Sequence, residues 1–298
     1  MIKRKPILWF LSLAFVFSWP LFLVPLALGN LDLQTRHIAT IGLWSLGMWG
    51  PGLAALFTNK FILRQPVSAL RLNTLGPKRF YLWAWFLPGV LSVVTVIFTV
   101  LFGLAKFDPE LSFVRDSMAT VPGGAQIDPL LLVLAQSVVG ILLAPFINAL
   151  FAVGEELGWR GFLLPKLLPL GQWKAILISG VIWGVWHAPV IVQGHNYPGY
   201  PILGIFMMIV LTILLGTILS WLYLETLSPW ASALAHGAFN AVAGLPLLFF
   251  KPGFNLAFSG TLATFPGWLA MGIFIVWLVM TKRLPIEDLK REVAPAQI

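Results

Sequence analysis

Cysteine is missing from these 298 residues, and charge is scarce, with Asp, Glu, Lys and Arg making up 10% of the chain against about 25% in an ordinary soluble domain. Without cysteine there is no disulfide, no thiolate nucleophile and no Cys-ligated zinc. So few charges cannot coat a globule of this length in water, which argues against a soluble enzyme or carrier. Acidic groups are scarcer than basic ones, with 11 Asp and Glu against 19 Lys and Arg. The resulting charge of +8 does not mark a nucleic-acid binder, because the basic residues fall in short clusters between apolar runs, where the positive-inside effect puts them. The chain also lacks an HExxH zinc element, a GxSG serine element and a GxGD aspartyl element, so these ready-made hydrolytic centres are excluded. It has no internal repeat and no low-complexity tract.

What is present is hydrocarbon surface. Hydrophobic residues make up 59%, including 14 Trp and 23 Phe, and the mean hydropathy is +0.90. Apolar runs near the length needed to cross a bilayer fall at about 7–28, 38–61, 81–104, 130–153, 175–193, 202–224, 230–250 and 263–281, each bounded by charge, Pro or Gly. The expected fold class is all-α, a polytopic membrane helix bundle of about eight transmembrane helices forming a single membrane domain over 1–298. The first run is longer than a signal-peptide core, lacks a small-residue cleavage site and reads as helix one.

With the N-terminus inside, one face collects Lys3, Arg4, Lys5, Lys60, Arg64, Arg71, Lys78, Arg79, Arg160, Lys166, Lys174, Lys282, Arg283, Lys290 and Arg291, while the other holds Arg36, Lys106, Arg115 and Lys251. That bias predicts a multi-pass protein of the cell membrane with both termini cytoplasmic. The 62–80 stretch reads either as a short interfacial amphipathic segment or as a solvated loop.

Ionisable groups inside spans cost roughly 2.5 to 3.5 kcal/mol each, so those that persist are functional candidates. Helix four ends with Gly154-Glu155-Glu156-Leu-Gly-Trp-Arg160, and Pro165 reads as its first firm stop. Arg160 follows Glu156 by four residues, about 40° round a helix, whereas Glu155 lies about 140° from Arg160 and projects elsewhere. Span five carries Trp183-Gly-Val-Trp-His187-Ala-Pro189 and span seven His236-Gly-Ala-Phe-Asn240. Alternating helix directions place Glu155, His187 and His236 at comparable depth, so one cavity can hold them.

Each group also has a structural explanation. Glu156 with Arg160 makes an interfacial ion pair, a single intramembrane His or Asn commonly glues helices together, Trp183 and Trp186 pack, and His37 and His195 sit in outside loops without demanding a role. The joint occurrence on three helices favours a site, since glue residues need not cluster.

At these residues the chain resembles the CAAX-processing and bacteriocin-processing (CPBP) intramembrane proteases, also called the type 2 CAAX prenyl endopeptidase family. The resemblance covers a motif-bearing core of about 145–245 and rests on three elements in order. These are an EExxxR element at Glu155, Glu156 and Arg160, an aromatic four residues before His187, and HxxxN at His236 and Asn240. The family usually has Phe at the position of Trp183, so this chain keeps the aromatic but changes its kind.

The resemblance implies a glutamic peptidase, a hydrolase for intramembrane proteolysis, that acts on membrane-associated protein or peptide substrates, of which CAAX-type prenylated proteins are one class. Glu155 and His187 would activate water, His236 and Asn240 would bind the oxyanion, and Trp183 would help bind substrate. No cofactor is expected. A zinc-dependent protease using His187, His236 and a glutamate is the runner-up, because two His and one carboxylate suit an open catalytic site. A non-catalytic membrane scaffold or bacteriocin-immunity protein using the same cavity is the non-enzyme alternative. A transporter is disfavoured by the missing inverted repeat.

Overall fold

Proline breaks some of the apolar runs and is carried inside others, as at Pro20 and Pro88. The computed structural model describes residues 4–120 and 126–287, so Lys3, Lys290 and Arg291 from the orientation reading lie outside the described residues. The helices are α1 (Arg4–Leu23), α2 (Leu33–Gly47), α3 (Gly50–Phe57), α4 (Arg79–Leu101), α5 (Ser112–Ala119), α6 (Pro129–Leu142), α7 (Ala144–Glu156), α8 (Leu164–Leu167), α9 (Gln172–Trp186), α10 (Ala188–Ile191), α11 (Pro201–Thr226), α12 (Pro229–Val242) and α13 (Phe265–Met280). Among the described residues no strand forms beyond one isolated bridge between Phe107 and Phe250. The all-α expectation is met.

Each of the eight apolar runs is helical, but they are not eight continuous rods. Four helical stretches, Arg4–Ala27, Arg79–Leu101, Pro201–Thr226 and Pro229–Phe249, are long and apolar enough to cross a membrane unaided. α6 and α7 reach that length and apolarity only when taken together, and their axis bends by 47° just before Pro145, a residue that clashes with the preceding turn and removes a helical N–H. Pro51 and Pro189 likewise split the second and fifth runs into α2 with α3 and α9 with α10. The eighth run is the 16-residue α13, about 24 Å at 1.5 Å per residue. Between a π-helical turn, Thr58–Ile62, and the start of α4, the 62–80 stretch holds one short 3-10 turn, Val67–Leu70, with Leu70 buried.

The distribution of polarity is that of an integral membrane protein. Val93, Leu134, Phe206 and Ile273 are exposed on the outer faces of their helices, while Thr95, Thr212, Ser220 and Ser232 are buried. Water does not tolerate so continuous an apolar belt, and hydrocarbon does. Inside, the buried hydroxyls and indoles tie helices together: Thr212 Oγ1 donates to the Gly180 carbonyl at 2.9 Å, Ser232 Oγ to that of Leu219 at 2.8 Å, and Trp19 Nε1 to that of Trp186 at 3.1 Å. Such bonds contribute about 0.6 kcal/mol each in membrane bundles.

Close helix approach fixes the position of α7. A methyl group added to Gly154 would lie 2.8 Å from Trp49 Cα, and one added to Gly158 would lie 2.5 Å from Pro51 Cβ. The Gly-xxx-Gly spacing therefore lets the start of α3 rest on the backbone at the end of α7. Glu155 and Glu156, between the two glycines, are directed to the remaining neighbours.

Candidate active site

Beyond Glu156 the chain leaves α-helical geometry and makes a π-helical turn, Leu157–Leu163, every residue of which is buried. Such one-turn bulges are uncommon and concentrate at functional sites. The expectation that Pro165 ends the helix is corrected here. Pro165 lies in the first turn of α8, where its missing N–H costs nothing, and the helical path continues to Leu170.

The two glutamates take different partners, as their angular separation predicts. Glu156, fully buried, accepts through Oε1 from Arg160 Nη1 at 2.9 Å and from His236 Nδ1 on α12 at 2.9 Å. Glu155, 2% exposed, accepts through Oε2 from Trp183 Nε1 on α9 at 2.6 Å. Arg160 also lies over the Trp183 ring, with Cζ 4.4 Å from the centroid. Gly216 of α11 leaves room for it, since a methyl there would stand 3.1 Å from the guanidinium. A buried charge pair recovers its desolvation cost only as further hydrogen bonds complete it; His236 supplies one, while Glu156 Oε2 and Arg160 Nε are buried without a protein partner among the described residues.

His187 occupies the break between α9 and α10. Its backbone N–H turns back to the Gly184 carbonyl at 3.1 Å, which frees the Trp183 carbonyl to take the ring nitrogen Nδ1 at 2.8 Å. A carbonyl only accepts, so Nδ1 carries the hydrogen and the neutral ring keeps its lone pair on Nε2. The ring is half-buried, held against Trp186 at 4.8 Å and Trp183 at 5.8 Å between centroids. Trp183 in turn meets His236 edge-on at 5.3 Å.

The structure thus gathers Glu155, Glu156, Arg160, Trp183, His187 and His236, drawn from α7 and its π-helical turn, α9, the break after α9, and α12. Asn240 lies one turn along α12 from His236 and is exposed. His37 is exposed on α2, and His195 stacks edge-on against Trp44 at 5.3 Å, both outside the cluster. Among the described residues no three of His, Asp and Glu converge as a metal-donor set. Sequence spacing pointed to Glu156 with Arg160, but not to the indole bond onto Glu155 or the imidazole bond onto Glu156. Both join segments far apart in the chain, 28 and 80 positions respectively.

Residues 131–242 match the family model of the Rce1-like type II CAAX prenyl endopeptidases, and this span contains every member of the cluster. The segment that builds the site is thus similar to that family. A CAAX prenyl protease 2 of Methanococcus maripaludis is 38% identical over 53 residues, which is 17% of this chain. The aligned stretch spans 20% of that relative's length.

Proposed function

We propose that this protein is an intramembrane, glutamate-dependent endopeptidase that hydrolyses peptide bonds of membrane-associated protein substrates, with CAAX-type prenylated proteins, named in the family's description, as the leading class. The observation that carries this reading is the unequal treatment of two adjacent buried glutamates. Glu156 is neutralised by Arg160 and bonded to His236, a structural and orienting arrangement, whereas Glu155 takes the neutral indole donor of Trp183. A carboxylate with so little water around it is a strong general base near neutral pH. Water held between Glu155 and Nε2 of His187 would lose its proton to one of them as its oxygen attacks the peptide carbonyl. The leaving amine then takes that proton.

His236 has Nδ1 on Glu156 and so presents Nε2 for the developing oxyanion. Nε2 donates when both ring nitrogens carry hydrogen, and His236 and Arg160 then share the carboxylate of Glu156. Asn240, one helical turn away, supplies a second donor, and each such donor is worth roughly 2.7 to 4 kcal/mol in the transition state. The cell membrane, with both termini in the cytoplasm, is the proposed setting. The test compares membranes containing native protein with membranes containing Glu155→Ala protein, reading the termini of all membrane-associated peptides. New termini that depend on Glu155 are expected, and identical termini in both would refute the assignment.

A further inference from the structure

We infer that Trp183 is a positioning residue for both water-activating groups, holding Glu155 by its indole N–H and His187 by its backbone carbonyl. This rests on the reading of Glu155 and His187 given above and goes beyond it, because it gives a task to Trp183, which stands where the resembled family usually has Phe. Phe keeps the ring but has no donor to offer.

The geometry is specific. The indole is 2% exposed, and a buried N–H needs an acceptor. The acceptor it finds is Glu155 Oε2 at 2.6 Å, the short separation typical of a bond to a carboxylate. With Oε2 anchored, the carboxylate plane is set and Oε1 is left as the oxygen that accepts a proton. The same residue's carbonyl holds Nδ1 of His187 at 2.8 Å, and that bond turns the basic Nε2 outward. Arg160 on the ring face and His236 at the ring edge prevent the indole from turning. One rigid side chain and its own backbone thus register two groups that the chain places 32 residues apart (155 and 187). A substrate-binding wall would require none of this, since it needs only an apolar surface.

Two variants separate the N–H from the ring. Trp183→Phe removes the donor and trims the ring, whereas site-specific replacement of Trp183 by 3-benzothienylalanine keeps ring size and the stacking under Arg160 but puts sulfur in place of N–H. Both are expected to lower kcat by about 10- to 100-fold, the range for lost supporting bonds to catalytic groups, with KM unchanged, and Trp183→Phe, which also leaves a cavity in the core, is expected to melt lower than the benzothienyl protein. An unchanged kcat in the benzothienyl protein, or a loss carried by KM, overturns the proposal.

A readout free of turnover accompanies these variants. With all indoles labelled with nitrogen-15 in detergent-solubilised protein, the resonance missing from Trp183→Phe identifies the Trp183 N–H. That resonance is expected far downfield in native protein and shifted upfield in Glu155→Ala. A resonance that ignores Glu155→Ala overturns the proposal whether or not the protein hydrolyses anything. A resonance that responds, in a protein that cleaves no substrate, supports the bond and counts against the enzyme reading instead.

Discussion

Glu156 accepts from His236 across 80 positions of chain at 2.9 Å, on the same oxygen that holds Arg160. Removing that carboxylate charge strands a buried guanidinium and leaves one neutral amide oxygen to accept from both it and the imidazole. Glu156→Gln is therefore expected to lose about 3 to 5 kcal/mol of stability together with activity. Melting temperature and turnover measured in one detergent check this, and an inactive variant of native stability would exchange the roles assigned to the two glutamates.

Glu155→Gln should behave differently. The amide oxygen still accepts from Trp183, so the fold and melting temperature are expected to hold while turnover falls to near background. Cleavage at a native rate by this variant would remove Glu155 from the chemistry.

Asn240 is exposed and contributes little packing. Asn240→Ala is expected to leave the melting temperature alone and to lower kcat by about 10²- to 10³-fold, the usual cost of one oxyanion donor. A kcat equal to native would leave His236 as the oxyanion donor without Asn240.

Orientation rests on the distribution of basic residues. Reporter fusions at the N-terminus, after Arg79, after Lys174 and at the C-terminus should read cytoplasmic, and fusions within 105–129 should read outside. A C-terminal reporter on the outer side would contradict an even number of crossings.

Metal is tested by removal. Purified protein is expected to keep its activity after exhaustive chelation, with controls for chelator effects on detergent and lipid. Activity that vanishes and returns with stoichiometric zinc would move His187, His236 and a glutamate into ligand roles.

Much of the helix content is legible in the sequence because hydrocarbon demands long apolar runs, and the four-residue spacing of Glu156 and Arg160 is enough to pair them on one helix face. The continuity of the spans is not legible at the same level. Pro145 and Pro189 break helices where the apolar pattern runs on, while Pro165 sits inside a helical path because the π-helical turn before it alters which N–H groups are needed. For the site, shared depth on three helices puts Glu155, His187 and His236 forward as candidates. It does not give their partners. Whether an indole or an imidazole reaches a particular carboxylate depends on how α9 and α12 rotate against α7, and a single chain's pattern does not encode that.

Gly154 and Gly158 flank the glutamate pair, and through them the backbone of α7 and its π-helical turn rests against the start of α3. Contacts between main chains have no rotamers to change, so the mounting of the two carboxylates is stiffer than the side-chain packing elsewhere in the bundle. It also closes one side. The carboxylates are left to face α9 and α12, which supply their partners Trp183 and His236, and a bulky residue at either glycine would act as a wedge, displacing the carboxylates without touching those partners.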